Sequence, residues 1–300
     1  MSTRFTRRGF VAGSLAAGSI AAHVQSASKA KIVRQPGASV QLALNAYSFN
    51  QPLRDKSITW DGVVDYCAQH GIVGLDATGY YFDSYPKAPS PAVIHALKRR
   101  AFVNGVTICG TGVRNDFAVT DAAARQRDIA MVKEWIEAAS LMGASVIRVF
   151  TGQKVAEGAT FDKTLDWMIP AFKECAEHGA RHGVIVGLQN HNDFAKTAAE
   201  TIRITEAVGS EWFGVILDVG SLRQADPYQE IEKLLPYAVS WQLKETVWYG
   251  KKEVPTDLAR VKSIIDKGGY RGVLPIETLG AGDPKVKVAR FLEKVRAVFG

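Results

Sequence analysis

Two carboxylates stand out because each closes an apolar run. Asp218 follows Val215-Ile216-Leu217, and Glu277 follows Val273-Leu274-Pro275-Ile276. A carboxylate ending a buried strand is costly unless it meets a cation, a hydrogen-bond donor or solvent. Gln189 and His191 are two residues apart, as are Gln242 and Lys244. In extended chain each pair shares a face, while Asn190, Leu243 and Glu245 face the other way. Two acids from separate strands with two amides between them form an oxygen-rich pocket suited to a hard divalent ion. The metal-ligand candidates are therefore Asp218, Glu277, Gln189 and Gln242. Glu277 is also the candidate general base, with Lys244 or His191 as acid or electrophile, a set suited to proton abstraction beside a carbonyl. Asn45, Tyr47, Asp76 and Tyr80, at the ends of two earlier β-rich runs, are candidates to hold substrate. Trp248, with Tyr249 beside it, offers an aromatic face for stacking on a sugar ring.

Each of these residues also has a structural alternative. Asp218 can cap the loop that follows it through Gly220 and Ser221. Glu277 can pair with Lys244 for packing alone, His191 can be a hydrogen-bonded structural residue, and the two glutamines can satisfy backbone groups. His70, His95, His178 and His182 fall in helices or at their ends, as surface or packing residues. Trp60, Trp135, Tyr66 and Phe172 sit on helical stripes and are expected in the core.

The elements that must position these groups can be read from periodicity. β-rich runs cover Val40–Asn45, Ile72–Ala77, Val106–Thr111, Ser145–Phe150, Val184–Gln189, Phe213–Asp218, Ala238–Leu243 and Val273–Glu277. Helical runs separate them at Trp60–Gln69, Pro91–Asn104, Ala122–Met142, Phe161–His182, Ala195–Val208, Tyr228–Leu235, Asp257–Lys267 and Lys285–Phe299. Gly71, Gly105, Gly143, Gly183 and Gly209 stand between a helix and the next strand, where a left-handed cap is wanted. Ser90-Pro91 reads as an N-cap followed by a first-turn proline. Eight alternations of strand and helix imply an α/β fold, a closed (β/α)8 TIM barrel, with the polar strand ends gathered at one mouth. An open doubly wound sheet is the alternative, but no GxGxxG follows the first strand.

The 300 residues suffice for one such barrel, with 47% hydrophobic content to fill its core. Residues 1–30 read differently. Thr6-Arg7-Arg8-Gly9-Phe10-Val11 is a twin-arginine pattern, followed by a short apolar run to about Ala22 and then small residues. This is the signature of a removable leader, which places the mature protein in the periplasm or otherwise outside the cytoplasm. Residues 31–300 then form a single barrel domain. Removing the leader sheds basic residues, Arg4, Arg7 and Arg8 among them, and no acid, so the formal charge of +7 overstates that of the mature chain. Basic residues are otherwise scattered, and Lys98-Arg99-Arg100 reads as a solvated helix end rather than a nucleic-acid patch. Cys67, Cys109 and Cys175 are odd in number and lack metal-site spacing, so buried apolar thiols are expected. No later segment is long and apolar enough for a membrane span, and no anchor is expected once the leader is gone.

Several stretches together give the chain a resemblance to the xylose isomerase-like barrels, the sugar phosphate isomerase/epimerase group. These are Gly71-Ile72-Val73-Gly74-Leu75-Asp76, Gly187-Leu188-Gln189-Asn190-His191, Leu217-Asp218-Val219-Gly220, Trp241-Gln242-Leu243-Lys244-Glu245, and Gly269-Tyr270-Arg271-Gly272 leading to Pro275-Ile276-Glu277. The resemblance implies a divalent metal, Mn²⁺ or Mg²⁺, held by acids from strands five, six and eight and a His from strand seven. Asp218 and Glu277 match that pattern. Gln189 stands where the family has Glu, and Gln242 where it has His, which removes negative charge and one imidazole. Family epimerases use acidic bases from strands five and eight; Gln189 cannot take a proton, so two-base epimerisation through these positions is disfavoured. The abasic-site endonuclease branch needs clustered histidines, and Ser221 stands where one would follow Asp218. The expected function is an exported isomerase or lyase acting on a free or oxidised (keto-)sugar. The alternatives are a sugar epimerase, or a sugar-binding barrel that has lost its metal site. The expected partner is a small sugar, with homo-oligomers left open.

Overall fold

The computed structural model describes residues 30–300. The twin-arginine leader expected over residues 1–30 lies outside the described residues except for Ala30.

Among the described residues nine α-helices and ten strands alternate as the periodicity predicts, with three additions. The barrel strands are β1 (Ser39–Asn45), β2 (Gly74–Thr78), β3 (Thr107–Gly112), β4 (Val146–Val149), β5 (Ile185–Gln189), β6 (Phe213–Asp218), β7 (Ala238–Lys244) and β10 (Arg271–Glu277). They pair in parallel and close in the order β1-β10-β7-β6-β5-β4-β3-β2. The additions are a short helix α1 (Asn50–Arg54) after β1, and the antiparallel hairpin β8 (Thr246–Tyr249) and β9 (Lys252–Pro255) after β7. The outer ring is α2 (Trp60–Gln69), α3 (Pro91–Val103), α4 (Ala122–Met142), α5 (Phe161–His182), α6 (Ala198–Val208), α7 (Pro227–Leu234), α8 (Leu258–Gly268) and α9 (Pro284–Phe299).

Local chemistry sets the helix limits. α4, α5 and α6 end on Gly143, Gly183 and Gly209, all left-handed; these positions favour a residue without a Cβ. α6 starts three residues later than its apolar pattern, because Thr197 caps it and Glu200 returns the bond to complete a capping box. Ser90 occupies the N-cap of α3 but makes no side-chain capping bond, so only the proline half of that start signal operates.

The interior is a packed core. Trp135 and Phe172 are wholly buried and Tyr66 nearly so; Trp60 stacks on Phe82 at 4.7 Å. All three cysteines are buried and free, and burial pushes the Cys67 and Cys175 thiols up to about 12. The run at residues 98–100 is a helix end: Arg100 pairs with Asp65 at 2.5 Å, and Lys98 donates to the Leu141 carbonyl. Among the described residues no helix is long and apolar enough to cross a membrane.

Candidate active site

Strand register delivers the polar ends to one level. Asp218 lies opposite Gln242, Glu277 opposite Lys244, and Asn45 opposite Asp76. The two-residue parity holds, since Gln189 and His191, and Gln242 and Lys244, all line one cavity of about 130 Å³. Asn45, Tyr47, Tyr80 and Glu277 complete its predicted walls. Asn190 faces away, as parity requires. Its amide donates to the Asp218 carbonyl at 2.8 Å and accepts from the Asp218 N–H at 2.9 Å, clamping the ends of β5 and β6 together.

Asp218 is the hub. It is fully buried. Its Oδ2 accepts from Gln189 Nε2, Ser221 Oγ and Lys244 Nζ, each at 2.7 Å, and its Oδ1 accepts from the Gly220 N–H at 2.9 Å. The loop-capping role and the site role therefore coexist in one carboxylate. Burial alone would raise its pKa, but the Lys244 ammonium and these donors outweigh burial and hold it below the usual range. Lys244 Nζ also lies 3.4 Å from Glu277 Oε1. Burial works against its charge, yet the two carboxylates raise its pKa and keep it an ammonium. Glu277 is pushed up by burial, which the nearby Lys244 only partly offsets.

Sequence reasoning missed Arg148. It lies on β4 and is almost wholly buried. It donates to Gln189 Oε1 at 3.2 Å and to the Tyr80 hydroxyl, and its guanidinium sits 4.4 Å from the Phe150 ring centroid. A lone charge inside Ser145-Val146-Ile147-Arg148-Val149-Phe150 was the available signal. Gly112 makes its passage possible, since a Cβ there would stand 2.6 Å from Arg148 Nε. Thr78 and Arg114 also line the cavity; Arg114 comes from the loop after β3.

Two predicted residues, Asp76 and Trp248, take other places. Asp76 is buried on β2 but does not line the cavity; burial, relieved in part by Arg148, pushes its carboxyl up to about 6. Trp248 sits on the hairpin with the Arg223 guanidinium 4.3 Å from its ring centroid. It does not line the cavity. His191 does line it, half-exposed at the rim, where its Nδ1 meets Asp193 Oδ2 at 2.6 Å and its ring packs edge-on against Phe150.

The expected metal ligands do come together, but as arranged they do not fit a divalent ion. Gln189 turns its N–H groups inward, to Asp218 and to Gln242 Oε1 at 2.7 Å. An ammonium lies between the two carboxylates. A group that could hold a divalent ion is instead Glu137, His178 and His182, with ligand atoms within 4.8 Å of one another. It lies toward the C-terminal ends of α4 and α5, at the opposite end of the barrel from the mouth.

Comparison with known proteins agrees with this architecture. No curated protein sequence matches the chain. Among solved structures, a D-psicose 3-epimerase from Clostridium cellulolyticum H10, crystallised with D-tagatose, superposes with a TM-score of 0.72 at 14% identity, covering 87% of this chain and 99% of that one. An apo 3-keto-D-glucoside 4-epimerase from E. coli gives 0.70 at 13% identity, covering 86% and 100%. A probable 3-DHS dehydratase from Bacillus anthracis gives 0.66 at 15%, covering 86% and 99%. At such identities the likeness is one of fold. The family model described as the xylose isomerase-like TIM barrel matches residues 64–295, and the chain belongs to that family.

Proposed function

We propose that the protein is a sugar-active enzyme that removes a proton from the carbon beside a carbonyl, with Glu277 as the base. The observation that carries this reading is the Glu277 carboxyl: buried, on the cavity wall, with its pKa raised and an ammonium 3.4 Å away. A carboxylate of raised pKa is a better base than one in water. In the step itself, Glu277 takes the α-proton and the C–H electron pair moves toward the carbonyl, leaving negative charge on its oxygen. Lys244 and Arg148, fixed cations on the same cavity, favour that charge. Returning the proton to the former carbonyl carbon, while the hydroxyl proton on the α-carbon passes to the enediolate oxygen, isomerises the sugar; alternatively the carbonyl reforms and a β-substituent leaves with its bonding pair, an elimination.

Both outcomes need one base, which favours isomerase or lyase chemistry over two-base epimerisation. Gln189 cannot accept a proton, and Asp76 does not line the cavity. The epimerase reading is kept alive by the fold shared with the psicose and keto-glucoside epimerases. It would require His191, with Asp193 behind it, as the second base at the rim. Incubating the protein with ketoses and keto-glycosides in D2O, and following loss of the α-proton signal by NMR, tests the reading. Glu277→Gln should slow that exchange by about 10²- to 10⁴-fold; undiminished exchange would sink the assignment. The leader carries a separate proposal of export in the folded state. Replacing Arg7 and Arg8 with Lys should abolish export of a fused reporter, and a reporter exported as before would refute it.

A further inference from the structure

We infer that the Lys244 ammonium occupies the place of the divalent cation that the strand-end residues would otherwise gather, so that the site's cation is built into the chain. This deepens the reading of the mouth as a site for carbonyl chemistry and rests on it.

Hydrogen-bond capacity is the first argument. The two Asp218 oxygens already accept four donors, from Gln189, Ser221, Lys244 and Gly220. A carboxylate offers about four lone-pair sites, roughly two on each oxygen; Oδ2, with three donors, has none left for a metal, and Oδ1 is turned to the Gly220 N–H. The second argument is the orientation of Gln189. Asp218 can only accept and Arg148 can only donate, so the Gln189 amide must turn its nitrogen to Asp218 and its oxygen to Arg148. A divalent ion at the centre would therefore face N–H groups instead of an oxygen.

Charge is the third argument. Asp218 and Glu277 supply two negative charges, and the buried Lys244 and Arg148 supply two positive ones. Even with Asp76 ionised outside the cavity, a further divalent cation would stand only partly compensated in a buried cluster. The fourth argument is room. A Cβ on Gly220 would lie 2.5 Å from Lys244 Cδ, so the residue two after Asp218 leaves space for the lysine stem. An ammonium has three protons. One is donated to Asp218, and Glu277 lies 3.4 Å away; because Lys244 lines the cavity, a further proton is free to meet a substrate oxygen.

The test is calorimetric titration of Mn²⁺ into the full chain carrying His178→Gln and His182→Gln, which silences the outer-ring cluster. The expected result is no binding up to millimolar metal. Lys244→Met in the same background should gain Mn²⁺ affinity by at least roughly tenfold, because two buried carboxylates then face each other without a cation. Should Lys244→Met fail to fold by circular dichroism, the Lys244-intact titration decides alone. One equivalent of Mn²⁺ bound by the Lys244-intact chain and lost on Asp218→Asn overturns the inference, as does a folded Lys244→Met with no gain. The D2O experiment separates the two readings. Mn²⁺ binding alongside Glu277-dependent exchange defeats only the built-in cation. Glu277-independent exchange without Mn²⁺ binding defeats only the role of Glu277.

Discussion

Asp218 and Asp76 are the same residue type, both on barrel strands and both buried, yet the two sides of the barrel treat them oppositely. On the β6–β7 side, Asp218 has an ammonium at 2.7 Å and hydrogen-bond donors on both oxygens, and its pKa falls. On the β2–β4 side, Asp76 has no ion pair among the described residues. Its charged neighbours Arg148 and Glu277 act on it across space with opposite signs, and burial raises it to about 6. Burial penalises a charge in both places; what differs is whether a cation and donors stand within contact. The first carboxylate is held ionised and organises the site. The second is poised to be neutral in mildly acid solution.

The larger effect expected from this contrast is at Asp218. Asp218→Asn leaves the buried Lys244 with Glu277 alone at 3.4 Å. Removing one partner of a buried pair costs on the order of 3–5 kcal/mol, because the remaining charge is uncompensated. Urea unfolding at neutral pH should show that loss. The Asp218 pKa is lowered on folding, so its contribution is fully present above the unfolded value of 3.8 and is lost only as pH falls through the folded value. The penalty of Asp218→Asn should therefore persist down to about pH 4 and shrink only below it. A variant as stable as the wild type at pH 7 would show that the Asp218–Lys244 contact contributes nothing to stability.

The contrast also marks what the sequence could convey. The eight strands were legible because each apolar run is punctuated by glycine or proline, and parity on β5 and β7 correctly paired Gln189 with His191 and Gln242 with Lys244. The hairpin after β7 was not legible: Thr246-Val247-Trp248-Tyr249 is too short a run to be told from a loop, so Trp248 was expected at the substrate. Arg148 is hard to read from sequence because it stands inside an apolar run, one residue before the end of β4, and not at the strand's end. Above all, residue type cannot say what fills the space among four converging side chains. Lys244 was visible as a candidate acid. That its Nζ falls between two carboxylates depends on strand register and on the missing Cβ of Gly220, which only three dimensions reveal.

The smaller effect, of opposite sign, is at Asp76. Its folded pKa of about 6 lies above the ordinary carboxyl value of 3.8, so between those values the folded state holds a proton that the unfolded chain has released. Stability therefore falls as pH rises from about 4 to about 6 and stays lowered above that. Two pKa units at 1.36 kcal/mol each set this loss at roughly 3 kcal/mol at most. Asp76→Asn keeps the shape and cannot ionise. It should be more stable than the wild type at pH 8 by up to about 3 kcal/mol, with the advantage shrinking through pH 6 and vanishing near pH 4. Thermal unfolding of the two proteins across that range reads the difference directly. If Asp76→Asn were destabilised equally at pH 4 and pH 8, the carboxyl would have to make a charge-independent contact that Asn cannot replace, and the contrast with Asp218 would then be one of packing rather than of charge.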